Sequence, residues 1–343
     1  MRAPPRILFV PPRFSPALVG GAENLLRSLA TDAQGAGCNV EIATTCATDN
    51  ETWCNALPAG TRMEDGLTVR RFPVDRRDAR NHQHLASELM RNGSLGELDA
   101  VDLMATSVWS STLQNHLDAA GGGFDALVFA PYLFGTTFWG AQSWPAQLRP
   151  VQAMLRSVAQ LAFNSRGEMA LAQQLLGDVR GEVIGMGFDP PSNRAAPGFA
   201  AANGLGRYFV YAGRIEEGKR VQVAAECVAA LARAGHPDVR LVVIGRGSWT
   251  PSAEVEPFVR MMGFLPEDEK RSALADAVAL INPSELESLS IVLMEAWLEK
   301  TPALVTARST VMSDHCAESD GGVPFHDERD FIAKATSMLE DGA

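Results

Sequence analysis

Two stretches of this sequence carry charged side chains at spacings suited to a phosphorylated ligand. The first is Val210-Tyr211-Ala212-Gly213-Arg214-Ile215-Glu216-Glu217-Gly218-Lys219. An apolar run ends at Gly213, and Arg214 and Lys219 follow in the loop and at the start of the next helical pattern. Two cations at the carboxyl end of a parallel strand make an anion site, reinforced by the positive end of a helix. Arginine can grip a phosphate with two parallel bonds, whereas lysine acts as a point charge. Taken alone, the two cations read first as solvated charges beside Glu216 and Glu217. The second stretch runs from Asn282-Pro283-Ser284-Glu285-Leu286-Glu287 to Trp297. Here a strand ends, a loop carries Glu287, and a helix begins near Ser288–Ser290. Ser288 and Ser290 are both competent N-caps. Glu295 lies eight residues after Glu287, about two turns on if the stretch is helical. Ile291, Val292, Leu293, Ala296 and Trp297 make that helix very apolar and predict its burial. A carboxylate on it then needs a hydrogen-bond partner, whether a sugar hydroxyl, a backbone amide or an arginine.

The elements that must position these residues alternate in type along the chain. Strand-like runs fall at Arg6–Val10, Val40–Thr44, Leu67–Phe72, Asp125–Ala130 and Leu161–Asn164. Helical patterns lie between them, the first opening at Gly20-Gly21 with Leu25, Leu26 and Leu29 on one face. Asp189 to Gly206 is rich in Pro, Gly, Ala and Asn and reads as a linker. The alternation then restarts with a strand at Tyr208–Ala212, a helix at Val221–Ala234, and strands at Val239–Ile244, Ala277–Ile281 and Ala303–Thr306. Strands separated by helices imply βαβ units on parallel sheets, and the continuous apolar runs suit strands buried on both faces. The organisation expected is an α/β domain over 1–188, a linker over 189–206 and a second α/β domain over 207–343. A ligand is expected in a cleft between them, at the carboxyl ends of strands.

Composition narrows the chemistry. The 343 residues include 41 acidic and 30 basic side chains, a formal net charge of −11. That charge repels phosphate backbones and anionic lipid, which argues against nucleic-acid partners and electrostatic membrane association. No apolar run approaches the roughly 18–20 residues of a membrane span, and Ile7–Val10 is too short for a signal peptide. The five cysteines, Cys38, Cys46, Cys54, Cys227 and Cys316, are odd in number and form no Cys-x-x-Cys. Reduced thiols and a cytoplasmic location are expected. No Asp-x-Asp occurs to hold a metal. Glu267-Asp268-Glu269 after Pro266 reads as the first turn of a helix, where negative charge is favourable. His82 and His84 read as exposed, and His315-Cys316 as a weak metal or nucleophile pair. Tyr132, Phe134, Phe138, Trp139 and Trp144 read as core, with an acceptor-binding wall as the alternative. No Gly-x-Gly-x-x-Gly follows the first strand, which counts against a nicotinamide enzyme.

A strand followed by Gly-Arg and Lys, then by Pro-Ser-x-x-Glu-x7-Glu-Ala some 70 residues later, resembles the signature of glycosyltransferase family 4, the group 1 glycosyltransferases. Arg214, Lys219, Glu287 and Glu295 are the matching positions. Gly20-Gly21-Ala22-Glu23 is similar to that family's loop after the first strand, and Val183 to Asp189 to its segment leading into the second domain. The resemblance implies a GT-B fold, two Rossmann-like domains facing across a cleft. It implies transfer of a sugar, of hexosyl type, from a nucleoside diphosphate donor, with retention at the anomeric carbon and without a metal. By resemblance Arg214 and Lys219 hold the diphosphate, Glu287 contacts the donor sugar and Glu295 the ribose. Gly20, Gly21 and Gly213 let backbone approach the donor. Ser288, Leu289 and Ser290 face the sugar or phosphate from the helix start, and Gly263 and Phe264 meet the base. No cofactor is implied, and the acceptor is a small molecule or glycan.

The sequence departs from the family in several places. Ala141–Leu155 lacks the family's histidine, and none of His82, His84, His116, His236, His315 and His326 replaces it. An omitted loop near 144–150 is the favoured explanation. The C-terminal helices that cross back to the first domain are also expected to be missing after Ala343. Gly218 precedes Lys219 and Arg220 follows it, where the family has Lys-Gly. Ser288-Leu289-Ser290 stands where a Gly-Phe-Gly-like triplet is common. The missing histidine motivates an alternative, a catalytically degenerate nucleotide-sugar-binding or scaffold protein on the same frame.

Overall fold

The computed structural model describes residues 3–18, 21–49, 52–92, 95–130, 155–156, 158–185, 187, 191, 193–285, 287 and 289–341. The chain divides into two compact units, Met1–Ala162 with Met169–Glu182, and Phe163–Glu168 with Val183–Ala343.

The first unit contains β1 (Arg6–Val10), α1 (Gly21–Gly35), β2 (Asn39–Thr45), β3 (Gly60–Glu64), β4 (Leu67–Phe72), α2 (Ala79–Asn92), α3 (Glu97–Ala105), α4 (Ser111–Ala120) and β5 (Ala126–Phe129). Its sheet has the order β3-β4-β2-β1-β5. The ladders among β4, β2, β1 and β5 are parallel, and β3 joins β4 antiparallel. Asp65-Gly66 makes the β3–β4 turn with φ of 49° and 79°, the mirror-type turn that Asp-Gly favours in hairpins. The sequence reading missed β3 because its residues, GTRME, are mostly exposed and show no apolar pattern. Strand alternation divides the core. Phe9, Ile42, Leu67 and Val69 pack on Leu26 and Ala30 of α1, while Leu8, Val10 and Ala43 pack on Leu113 and Leu117 of α4.

The unit boundaries fall within β6 (Leu161–Phe163), α5 (Arg166–Leu176) and β7 (Gly181–Val183). The second unit continues with α6 (Phe199–Ala202), β8 (Tyr208–Ala212), α7 (Val221–Arg233), β9 (Arg240–Ile244), β10 (Val259–Gly263), α8 (Glu267–Asp276), β11 (Leu280–Asn282), α9 (Ile291–Leu298), β12 (Ala303–Thr306), α10 (Thr310–Ser319), β13 (Gly322–Phe325) and α11 (Glu328–Asp341). The sheet order is β10-β9-β8-β11-β12-β13, with parallel ladders throughout. Counted from β8, this is the 3-2-1-4-5-6 order of a doubly wound fold. Phe209, Tyr211, Leu241 and Val243 face α7 and α11. Tyr208, Val210, Val242 and Val305 face α8, α9 and α10. With both faces covered, β8 is apolar at every position and buried from end to end. β10 and β13 escaped the sequence reading. Both are edge strands, and β13 carries Pro324, which only an edge strand tolerates well.

Residues 193–206, read as linker, are held on the second unit. The Ala195 N–H donates to Glu299 Oε2 at 2.8 Å, the Gly198 and Ala200 N–H groups donate to Asp276 Oδ2 at 2.9 and 3.0 Å, and Phe199 is buried. The Pro/Gly composition hides these side-chain anchors, which lie far away in sequence. Among the described residues no helix is long and apolar enough to cross a membrane.

Candidate functional site

In a doubly wound sheet the crevice for ligands opens where the strand order reverses. In the second unit that point lies between β8 and β11. The loop after β8 carries Arg214 and Lys219, and the loop after β11 carries Glu287. Lys219 ends a 3-10 turn over Glu217–Lys219, and its Nζ donates to Glu287 Oε1 at 2.6 Å. Their side chains are only 24% and 12% exposed, so solvent screens this pair less than a surface pair. The two residues, 68 apart in sequence, are brought together by the fold.

Arg214 remains with its own loop. Its side chain is exposed and lies 3.1 Å from Glu216. The Tyr211 hydroxyl donates to the Arg214 carbonyl at 2.7 Å, fixing the backbone under the side chain. Burial, with help from the charges of Glu287 and Glu216, drives the Tyr211 phenol pKa upward and keeps it a donor.

The loops after β8 and β9 continue the sheet beyond its regular strands. The Gly213 N–H donates to the Ile244 carbonyl at 2.9 Å, Ile215 N–H to Arg246 at 2.7 Å, and Gly245 N–H to Gly263 at 2.8 Å. A Cβ on Gly245 would sit 1.7 Å from the Gly213 oxygen, and one on Gly247 would sit 2.1 Å from the Ile215 oxygen. Only glycine permits that approach. These two residues were missed from sequence, although Gly-Arg-Gly directly after an apolar strand was a signal. Beside them Arg246 lies over the Phe264 ring at 4.2 Å, and Phe264 is 55% exposed. The result is a flat, cationic surface next to Gly263, of the kind that suits a planar ligand.

Both unusual replacements fall at glycine-like backbone. Arg220, directly after Lys219, has φ of 53°, and Ser290, the last of Ser288-Leu289-Ser290, has φ of 66°. L-residues hold this left-handed conformation at a cost of about 1–2 kcal/mol. Arg220 is paired with Glu285, which also receives Arg308 at 3.0 Å. The expectation that Ser290 caps α9 is corrected: it occupies the cap position, but its hydroxyl accepts from Asn282 Nδ2 at 2.9 Å instead. A left-handed residue cannot aim its side chain at the helix amides as an extended cap does. Leu289 is buried. The Ser284 hydroxyl is buried and makes no hydrogen bond.

The helix bearing Glu295 is half-buried rather than buried, with only Leu293 and Ala296 enclosed. Glu295 accepts from Lys270 Nζ at 2.9 Å, and Glu267 lies 3.0 Å from the same nitrogen. Burial alone would lower the Lys270 pKa, but the two carboxylates outweigh it and the net shift is upward. Glu267-Asp268-Glu269 does form the first turn of α8.

The remaining candidates lie elsewhere. Gly21 opens α1 in the first unit, where Glu23 accepts from Arg13. Gly20, Ser288, the aromatic residues at 132–144 and the stretch expected to hold a histidine lie outside the described residues. His82 is corrected from exposed to partly buried, with Nδ1 2.9 Å from the Leu103 carbonyl. His84 is exposed near Glu88. Burial pushes the Cys316 thiol up to about 11, which disfavours the thiolate. Among the described residues no group of three metal-ligating side chains occurs. The first unit has a hollow of about 400 Å³, which sequence reading missed, at the loops after β2 and β4, lined by Trp53, Asn55, Asp75, Arg76 and Arg77.

Residues 206–341 match the family model of the group 1 glycosyl transferases. That stretch contains Arg214, Lys219, Glu287, Glu295 and the Arg246–Phe264 surface. No curated protein matches the chain. Among solved structures it is similar to WaaG, a glycosyltransferase involved in lipopolysaccharide biosynthesis, at 17% identity over 97% of this chain and 90% of that one, with a TM-score of 0.64. It is similar to Anabaena HepE in complex with UDP at 15% identity over 98% and 90%, with a TM-score of 0.67. It is similar to sucrose-phosphate synthase from Thermosynechococcus elongatus at 16% identity over 98% and 90%, with a TM-score of 0.65. At such identities the likeness shows the fold alone, which is GT-B, built from two Rossmann-like units.

Proposed function

We propose that this protein is a cytoplasmic, retaining, metal-independent glycosyltransferase, family 4 in type, using a nucleoside diphosphate sugar as donor. The observation that carries the reading is the Lys219–Glu287 pair at the switch point of the second sheet, inside the stretch matched by the group 1 model. In the reaction the bond between the anomeric carbon and the diphosphate oxygen breaks. The acceptor oxygen bonds to that carbon and passes its proton to the departing diphosphate oxygen. Negative charge grows on the departing diphosphate, and preorganised cations there lower the barrier. Arg214 and Lys219 take that role in place of a metal, with Lys219 turning from Glu287 to the phosphate. Glu287 then holds the donor sugar through its hydroxyls, Glu295 the ribose, and the Arg246–Phe264 surface the base. HepE has been crystallised with UDP and glucose, which makes UDP-glucose the first donor to try. A small molecule or glycan is the acceptor, and the hollow at Asp75 and Arg76 is a place for it.

The test is a thermal-shift panel of nucleotides and nucleotide sugars, with and without EDTA, followed by turnover. A ligand at about 100 times its dissociation constant adds about 2.7 kcal/mol of stability. An EDTA-insensitive shift that Lys219→Ala removes supports the reading. Full transfer activity in folded Lys219→Ala and Glu287→Ala variants rejects the site. A second reading, nucleotide-sugar binding without transfer, draws on the two first-unit histidines that are engaged in packing. His82 is bonded to Leu103, and His116 is stacked on Phe72 with centroids 5.1 Å apart. Binding with neither transfer nor donor hydrolysis would favour it.

A further inference from the structure

The loop that carries Glu287 hangs between the end of β11 and the start of α9, and one buried side chain touches both of its ends. Asn282, 6% exposed, is the last residue of β11. Its Oδ1 accepts from the Ser284 N–H at 3.1 Å, and its Nδ2 donates to Ser290 Oγ at 2.9 Å. Ser284 and Ser290 are themselves 1% and 7% exposed. Asn282 therefore spans residues 284 to 290 and closes the loop from inside the protein. A primary amide suits this task because it offers an acceptor and a donor on one planar group.

Ser290 gives the clasp a specific purpose. Its backbone sits at φ 66°, ψ 79°, where a serine does not settle unaided. The hydroxyl that Asn282 grips belongs to this residue, so the amide holds the loop's exit in a conformation that glycine would adopt freely. The loop's other ties include the ion pairs of Glu285 with Arg220 and Arg308 and of Glu287 with Lys219. If the exit of the loop relaxes, Glu287 shifts relative to Lys219.

We infer that Asn282 is a positioning residue. Through Ser284 and Ser290 it holds the β11–α9 loop so that Glu287 stands opposite Lys219. The inference rests on the reading of that pair as the donor site, but its structural half can be tested with no ligand at all.

The experiment compares the full chain with Asn282→Ala, Asn282→Asp, Ser290→Gly and the double variant Asn282→Ala/Ser290→Gly. Hydrogen exchange of the free proteins is read first. Asn282→Ala speeds exchange of amides 284–290 about tenfold or more, while β8 and β12 remain as in the parent. Asn282→Asp, which keeps an acceptor for the Ser284 amide and an oxygen for the Ser290 hydroxyl, restores much of the protection. Turnover is read as UDP release from UDP-glucose. Asn282→Ala lowers kcat about 10- to 100-fold, the scale of a misplaced catalytic group, while KM changes about threefold or less. In the Ser290→Gly background the effect of Asn282→Ala shrinks, because the two side chains act as one unit. Parent-like exchange in Asn282→Ala, or effects of the two substitutions that simply multiply, overturns the inference. If the parent releases no UDP from UDP-glucose, the donor reading fails for that sugar nucleotide, and the exchange arm still decides the role of Asn282. If Asn282→Ala does not fold, Asn282→Asp and Ser290→Gly carry the same comparison.

Discussion

Each unit of this protein contains an enclosed pair of opposite charges, and the two pairs stand on different supports. In the first unit Arg71, 3% exposed on β4, pairs with Glu64 on β3 across the hairpin and also donates to the Phe14 carbonyl at 2.8 Å. Both partners sit on paired strands. In the second unit Lys219 and Glu287 sit on loops beyond the strand ends, held by clasps such as Asn282–Ser290 and by glycine contacts. A charge pair on strands ties a sheet edge. A charge pair on loops at the switch point can exchange its partner for a ligand. The difference teaches which pair to read as structure and which as chemistry, although both are short and shielded.

That contrast can be broken most severely at the glycines. Gly245→Val places side-chain atoms inside the Gly213 backbone, and we expect a loss of more than about 4 kcal/mol, measured by urea unfolding. Parent-like stability would mean that the β8 and β9 loops are free to separate.

Arg71→Met is next. Removing one partner of a buried pair costs about 3–5 kcal/mol, and turnover per folded molecule is expected to stay as it was. Its pH dependence sharpens the point. The hydrogen bond and charge of Arg71 hold the Glu64 carboxyl below the ordinary 4.5. A depressed carboxyl pKa stabilises the fold above the unfolded value and loses that contribution as pH falls through the folded one. Unfolding followed from pH 6 down to pH 3 should show a steeper drop in the parent than in Arg71→Met.

Lys219→Ala should do the reverse. We expect about a 100-fold loss of kcat/KM, equivalent to about 2.7 kcal/mol of transition-state stabilisation, with a midpoint of unfolding close to the parent's. A large stability loss with intact turnover would place this pair with the structural one.

The smallest effect is a gain. Gly35 ends α1, and an added Cβ would meet nothing within 4 Å. Gly35→Ala should stabilise the protein by about 0.4–1 kcal/mol through the unfolded chain. That sign, opposite to Gly245→Val, separates a glycine of convenience from one of necessity.

Much of this was legible before any coordinates. Buried parallel strands need apolar residues on both faces, so β1, β8 and β12 stood out at their observed bounds, and β4 did so with alternate residues buried. Strands with a solvent side or an irregular edge, β3, β10 and β13, left no such trace. The charged residues proposed for the site were singled out by resemblance, Arg214, Lys219, Glu287 and Glu295 matching a family signature in order and spacing, and the fold brings Lys219 to Glu287. Gly245, Gly247, Asn282 and Lys270 were not. Gly245, Gly247 and Lys270 matter through Gly213, Ile215 and Glu295, which are distant in sequence, and Asn282 through the way its own loop folds back on it.

The sequence by itself determined the α/β alternation, the two units and the side-chain chemistry offered at the strand ends. Those follow from local periodicity and residue type, which the chain carries at every position. Only the tertiary structure decided that strand order reverses between β8 and β11, that Lys219 meets Glu287 there, and that Arg220 and Ser290 occupy glycine backbone. Strand order and loop closure depend on which distant segments pack together, and that is settled by burial across the whole sheet rather than by any one stretch of residues.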